Sequence, residues 1–348
     1  MVSPAPADLP PGLSLLWERA DEDAALRERF GFEDLEGAAD WLAASLRTQW
    51  GLAVHTCRRL VISDHNAIAW VSTDRGDLVV KWSCEERLFP RLEATTSLLA
   101  ALAEQGIPVA APLPAPDGTT VRAVVDGPAG PLSVAVLPEI AGTWLDVTDL
   151  DAVRTVGTCL ARLHDALGRL HVPALDGPPP RPLRERVLTW LGGRDHDRAP
   201  AASARLAALV ETLPDLVDLP QLVHGDVRAA NLLLRDGGVA AVLDLDEVRT
   251  DHRVAELAQT SVLLGTLFRG WRPTPLPARR ALREGYERLR PLSAEEQAWL
   301  EALTLWIGLA SIPAGDAAQP WIAAVEAERP RAEAELTPPG SRGRRPRG

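Results

Sequence analysis

The stretch from Leu222 to Glu247 constrains this chain more than any other. Two apolar residues, Leu222 and Val223, lead into His224-Gly225-Asp226, and Asn231 follows five residues after Asp226. The apolar run Leu232 to Leu234 meets a turn at Asp236-Gly237-Gly238, and a second run, Val239 to Leu243, ends on Asp244. Two short apolar runs split by a glycine-rich turn predict a β-hairpin. Antiparallel pairing brings its open ends together, so Asn231 and Asp244 become neighbours, with Asp226 close by. An amide oxygen beside a carboxylate suits Mg2+, a hard cation that takes one or two protein oxygens and completes its octahedron with water and phosphate. Asp226 is left to accept the proton of an attacking hydroxyl.

The order His-x-Asp, four residues, Asn, hairpin, Asp matches the kinase catalytic loop and its metal-binding aspartate. Two departures point away from protein kinases: Gly225 stands where those carry Arg, and Asp244-Leu245-Asp246 where they carry Asp-Phe-Gly. The segment resembles the aminoglycoside phosphotransferase family of small-molecule kinases, which includes choline, homoserine and methylthioribose kinase relatives. The resemblance implies an α+β, bilobal protein-kinase-like fold, with a small antiparallel-sheet N-lobe and a larger, mainly helical C-lobe. It implies ATP or GTP with Mg2+, Asp226 as catalytic base, and Asn231 and Asp244 as the metal ligands. Arg228 lies where protein kinases carry a Lys facing the γ-phosphate; a transition-state role and an ordinary surface arginine are both open.

Leu60 to Ile62, Ala67 to Val71 and Leu78 to Trp82 are apolar runs split by polar turns, a three-stranded antiparallel meander. In the family the first turn of this meander covers the nucleotide phosphates and the third strand carries a phosphate-binding lysine, the place that Lys81 takes. The first turn has no glycine, and Asn66 is either its phosphate contact or a turn former. Apolar spacing predicts a helix from Glu85 to Gln105, with Pro90 marking a break or the start of its main portion. The family's Lys–Glu pair would be Lys81–Glu93, with Glu85 and Glu86 nearer in sequence. After strands at Thr119 to Val125 and Ser133 to Leu137, Pro138-Glu139-Ile140 would form the hinge, the Pro138 carbonyl and the Ile140 N–H reading adenine.

Further on, Val153 to Leu167 is an amphipathic helix in which His164 reads as a hydrogen-bonded packing residue, and helices follow at Leu183 to Leu191 and Ala201 to Leu213, joined by a polar loop containing His196. His224 is expected to be a scaffold residue of the catalytic loop and Glu256 to brace that loop. The remaining helices are expected at Glu256 to Phe268, Pro277 to Leu289, Ala294 to Leu309 and Trp321 to Arg329, with Trp299, Leu303 and Trp306 as core rather than a substrate box. Helical periodicity also marks Leu13 to Trp50, whose role is not readable. The expected divisions are 1–50 for a tail and helical extension, 51–137 for the N-lobe, 138–142 for the hinge, 143–336 for the C-lobe and 337–348 for a flexible basic tail.

Composition narrows the function further. The apolar runs fall far short of the ~18 residues a membrane span needs. The formal charge of −11 argues against a general nucleic-acid binder and suits a cationic substrate. Cys57, Cys84 and Cys159 form no metal spacing or disulfide framework, so a reducing cytoplasm is the default. Of the 37 basic residues one is a lysine, Lys81, and it falls at a strand end. A compact ammonium on a flexible stem does work that a forked guanidinium does not.

The expected activity is transfer of the γ-phosphoryl group to a hydroxyl of a small molecule, an aminoglycoside-type antibiotic or an amino alcohol or amino acid. Two rivals stand beside it. A non-catalytic nucleotide-binding pseudokinase is opposed by the presence of all four polar positions, Lys81, Asp226, Asn231 and Asp244. A protein Ser/Thr kinase is opposed by the lack of His-Arg-Asp, Asp-Phe-Gly and Ala-Pro-Glu.

Overall fold

Period-two alternation in the first strands decides what faces the site. The computed structural model describes residues 11–175, 177–193, 198–217 and 219–327; residues 1–10, His196 and the basic tail at 337–348 lie outside these. Strand β1 (Gly12–Leu15) precedes helices α1 (Glu22–Phe30) and α2 (Leu35–Trp50). Then come β2 (Val54–Ser63), β3 (Asn66–Thr73), β4 (Gly76–Ser83), α3 (Phe89–Glu104), β5 (Arg122–Gly127) and β6 (Gly130–Pro138). The strands form one sheet in the order β1-β2-β3-β4-β6-β5, antiparallel except for the parallel β1–β2 pair. The meander is as expected. Helix α3 starts at Phe89 with Pro90 in its first turn, where a missing N–H costs nothing.

One expectation fails at the start of the chain. Helix begins at Glu22, not Leu13, and Gly12–Leu15 is a strand pairing with Arg59 to Ile62. Its partner lies more than forty residues away, about which local periodicity carries no information. Helices α1 and α2 also acquire a role. Leu60, Ile62, Ala69, Val80 and Trp82 of the sheet pack against Phe30, Leu42, Leu46 and Trp50 in one core. Phe30 and Trp41 meet Trp82 edge-on, with centroids 6.2 and 5.6 Å apart. Each such buried side chain contributes about 1.5–3 kcal/mol. The alternate residues Val61, Ile68, Val79 and Lys81 face a cavity. A one-residue slip of β4 would send Trp82 into that cavity and Lys81 into the core.

Next in chain order are β7 (Thr143–Trp144), α4 (Leu150–Leu167), α5 (Leu183–Leu191), α6 (Pro200–Thr212), β8 (Gln221–Val223), β9 (Leu232–Arg235), β10 (Gly238–Val242) and β11 (Arg249–Asp251). Helices α7 (Arg253–Leu263), α8 (Leu276–Glu287), α9 (Ala294–Ala310) and α10 (Gln319–Ala327) complete the described chain. The chain divides into two compact units. One holds the described residues of 1–180 and 218–292, and with them the sheet, the hairpin and the cavity. The other holds those of 181–217 and 293–348. In this second unit Trp299 and Leu303 are buried and the Trp299 Nε1–H donates to the Pro214 carbonyl at 2.9 Å, a core role as expected.

In the first unit β9 and β10 pair antiparallel across Asp236-Gly237, both at positive φ (53° and 76°), the conformation of a tight two-residue hairpin. β7 adds to the free edge of β9, and β8 pairs with β11. Helix α7 stops at Leu263, five residues before the expected end at Phe268. The carbonyls of Leu264 and Thr266 turn instead to the N–H groups of Ala229 and Ala230, at 2.8 and 3.3 Å, and so support the catalytic loop.

Candidate active site

The loop between β8 and β9 is shaped by residues that do not touch ligand. Glycine is required at position 225: its φ is +89°, and a Cβ there would collide with the Glu247 carbonyl. That is the physical reason no arginine follows His224. The Asp226 N–H donates to His224 Nδ1 at 3.2 Å, so Nε2 carries the proton and donates to the Leu243 carbonyl at 2.9 Å. The imidazole thus links the loop to the hairpin as a scaffold. Beneath it, the buried Glu256 carboxylate accepts the N–H groups of His224 (3.1 Å) and Gly225 and faces His164 Nε2 at 2.7 Å. Burial opposes the charge of Glu256, but the His164 hydrogen bond and the loop N–H groups outweigh it and hold the carboxyl below its ordinary value. His164 is fully buried and its other nitrogen meets the Tyr286 hydroxyl at 2.8 Å, a packing role as read from sequence.

Asn231 is buried and spends both amide hydrogens on Asp226, reaching its carbonyl and its Oδ2 at 2.8 Å each. The amide oxygen is therefore what Asn231 can offer a cation. The Leu243 N–H donates to the Asn231 carbonyl at 2.9 Å, which closes the hairpin's open end and brings Asp244 alongside. Asp244 adopts φ 62°, ψ 71°, a left-handed conformation that costs a non-glycine residue about 1 kcal/mol or more. Lys81 Nζ holds this segment, 2.6 Å from Asp244 Oδ1 and 3.1 Å from Asp246 Oδ2. Burial opposes the ammonium, yet the two aspartates raise its pKa above the ordinary lysine value, and Lys81 in turn lowers that of Asp244. Arg228 Nε lies 3.1 and 2.9 Å from the two Asp226 oxygens, while its Nη1 donates to the Leu267 carbonyl and its guanidinium sits 5.2 Å above the Trp271 ring.

Lys81, Asp226, Arg228, Asn231 and Asp244 line one cavity of about 420 Å³, a size suited to small-molecule ligands. Asn66, Pro138, Glu139 and Ile140 line it as well. Asn66 is not a turn residue: Asp64 and His65 make the turn, and Asn66 opens β3 opposite Ser63. The Glu139 carboxylate is spent on Arg58.

Glu93 does not meet Lys81. It is exposed on α3, and its charge is felt by Arg122, whose pKa burial brings down to about 10. Lys81 has two nearer carboxylates from the hairpin, which satisfy it. The residue of α3 that does reach the site is Arg91, which donates to the carbonyls of Asp246 (3.2 Å) and Val248. No sequence signal marks Arg91. Asp246 was legible as a possible second metal site, not as a partner of Lys81. The aromatic wall went unread too: Trp144 and Phe268 meet edge-on at 5.5 Å on the cavity beside Asp226.

Hard oxygen donors are what a phosphate-bound Mg2+ needs, and Asn231 and Asp244 supply an amide oxygen and a carboxylate to the same cavity. Among the described residues no group of three or more His, Cys, Asp or Glu converges as a metal cage. An amide oxygen and a carboxylate fit a cation shared with a ligand's oxygens.

A sequence profile describing the phosphotransferase enzyme family matches residues 56–292. A homoserine kinase of Rhodospirillum rubrum is 28% identical over 260 residues, 72% of this chain and 76% of that protein. One from Gluconacetobacter diazotrophicus is 30% identical over 241 residues, covering 66% and 71% of the two chains. Among solved structures, the amicoumacin kinase bound to AMP-PNP, Ca2+ and amicoumacin aligns with TM-score 0.56 at 14% identity, over 82% of this chain and 91% of that one. The microcompartment-associated aminopropanol kinase aligns with TM-score 0.55 at 18% identity, over 82% and 94%. These two share the protein-kinase-like fold of this chain.

Proposed function

This chain belongs to the phosphotransferase enzyme family, and on that premise we propose that its cavity carries transfer of the γ-phosphoryl group of ATP, or GTP, to a hydroxyl of a small molecule. The enzyme is a small-molecule kinase. The observation that carries the mechanism is the convergence of Lys81, Asp226, Asn231 and Asp244 on one cavity from two well-separated stretches of the sequence.

In this mechanism the Asp226 carboxylate orients the acceptor hydroxyl and takes its proton as the new O–P bond forms. The bond from Pγ to the β–γ bridging oxygen breaks, and the nucleoside diphosphate leaves. Asn231 holds Asp226 in orientation through two hydrogen bonds, and Arg228 braces its carboxylate. Lys81 neutralises phosphate charge from the sheet side. Asn231 and Asp244 would hold Mg2+, which would supply positive charge against that of the phosphates. Positioning and charge neutralisation are the main sources of rate in such transfers. The backbone at Pro138 and Ile140 would read the base.

For the acceptor we propose an amino acid or amino alcohol. The homoserine kinases among the relatives support this, as does an acceptor end walled by Trp144 and Phe268 beside Asp226. A reducing, cytoplasmic setting goes with three free cysteines; no helix among the described residues is long and apolar enough to cross a membrane. The test is release of ADP by the purified protein, with Mg2+, against homoserine, amino alcohols, aminoglycosides and a Ser/Thr peptide. Turnover with homoserine or an amino alcohol is expected. Turnover with aminoglycosides alone would replace the acceptor assignment, with the peptide alone would revive the protein-kinase reading, and nucleotide binding without any turnover would revive the pseudokinase.

A further inference from the structure

We infer that the segment ahead of the matched family region belongs to the nucleotide site: Glu18 and Arg29 are positioning residues that hold the β2–β3 turn over the phosphate end. This inference rests on the reading of the cavity as a nucleotide site.

The turn is Asp64-His65, and it has no glycine to relax it. Asp64 sits at φ +48°, in the left-handed region that side chains disfavour. Both polar groups of its backbone are bound from the N-terminal segment. Its N–H donates to Glu18 Oε1 at 3.0 Å, and its carbonyl accepts from Arg29 Nη1 at 2.9 Å. Glu18 and Arg29 also pair with each other, with only about a quarter of either side chain exposed (24% and 27%). Arg29 holds the Glu18 carboxyl below its ordinary value. The three groups form a closed triangle in which no one member can move alone.

The triangle is itself anchored. On one side β1 runs parallel to Arg59–Ile62, and the Leu16 N–H extends that ladder to the Ile62 carbonyl at 2.9 Å. On the other, Phe30 follows Arg29 directly and is fully buried against Trp82, the neighbour of Lys81 on β4. The position of Arg29 is thus fixed by the core beneath the sheet. Between the two anchors Trp17, about half exposed (49%), turns onto the cavity with Leu16. Arg269, next to Phe268, donates to the Leu15 carbonyl at 3.3 Å. The segment is therefore tied both to the β2–β3 turn and, through Arg269, to the stretch that carries Phe268. Such a tie supplies by tertiary contact the preorganisation that a loose turn would have to gain on binding.

The experiment uses the full chain and the fluorescent nucleotide mant-ATP with Mg2+, so no acceptor is needed. Glu18→Ala and Arg29→Ala should each weaken mant-ATP binding about tenfold, the loss of one charge-assisted hydrogen bond. Amide hydrogen exchange in a peptide covering 60–67 should speed up while one covering 76–83 stays protected, which separates release of the turn from loss of the sheet. Glu18→Gln, which keeps the oxygen for Asp64, should bind nearly as wild type does. The exchanged pair Glu18→Arg with Arg29→Glu restores the ion pair but presents the wrong groups to Asp64, and should bind as weakly as the alanine variants. Rescue by the exchanged pair, or alanine variants within twofold of wild type, would overturn the inference while leaving the nucleotide site standing. Wild-type protein that fails to bind mant-ATP would instead overturn the nucleotide reading itself.

Discussion

Lys81 Nζ lies 2.6 Å from Asp244 Oδ1, although 163 residues separate them in the chain. The contact ties the third strand of the meander to the end of the hairpin, and it sets the lysine against the carboxylate assigned to the metal. Lys81 and the residue assigned to the cation thus share one corner of the cavity.

The first prediction uses the fact that no other lysine exists in the chain. An acyl-phosphate analogue of ATP acylates amines held beside the nucleotide phosphates, and only the N-terminus and Lys81 offer one. Labelling should fall on Lys81, and excess Mg2+–ATP should suppress it. Lys81→Arg should lose the label and lower turnover, since the guanidinium fork cannot take the place of a compact ammonium between two carboxylates. Peptide mapping reads the result; a label that ATP does not suppress would place Lys81 outside the nucleotide site.

Asp226→Asn should slow phosphoryl transfer by about 10²–10⁴-fold through loss of the proton acceptor, with nucleotide affinity little changed. The variant can keep one oxygen for Asn231 and Arg228 while the other becomes an NH2 group that no longer accepts from Arg228, so folding should survive. Steady-state rates beside mant-ATP affinity make the comparison, and turnover within threefold of wild type would remove Asp226 from the base role.

Asp244→Ala should weaken Mg2+-dependent nucleotide binding more than Asp246→Ala does. Asp244 follows β10 beside Asn231 and makes the shorter contact with Lys81, whereas Asp246 is farther from the ammonium and its backbone is held by Arg91. Titration of Mg2+ at fixed nucleotide tests the order, and a larger loss in Asp246→Ala would exchange the two roles.

Glu256→Ala should destabilise the fold by about 3 kcal/mol, because the His224 and Gly225 N–H groups and the His164 ring lose a buried acceptor. The pH dependence follows from the depressed carboxyl. A group whose folded-state pKa is lowered contributes fully above its ordinary value, about 4.3 for Glu, and loses that contribution as pH falls through the lower folded value. The stability gap between wild type and Glu256→Gln should therefore be constant from pH 8 to about pH 5 and narrow only below that. Urea unfolding at a series of pH values measures it; a gap that widens toward acid would contradict the assignment.

Several local instructions were legible, whereas partners that meet only through packing were harder to name. The hairpin was legible because Asp236-Gly237 between two apolar runs is a local instruction, and its register alone carries Asn231 to Asp244. Alternation along Leu78 to Trp82 likewise put Lys81 on the face opposite Trp82, whatever covered either face. The mistaken pairing of Lys81 with Glu93 shows the boundary. Sequence supplied a lysine and several acids, but which acid meets it depends on how α3 and the hairpin approach the sheet. That approach exposes Glu93, points Arg91 at Asp246 and leaves the hairpin's two aspartates on Lys81. The strand at Gly12–Leu15 was unreadable for the same reason, since its partner is β2 and not its own neighbours. Periods and turn chemistry are properties of a few consecutive residues, so the sequence determined the elements and the order of the chemical groups. Ion pairs and sheet edges are satisfied by whichever complementary group arrives in space, and only the tertiary structure decides which one that is.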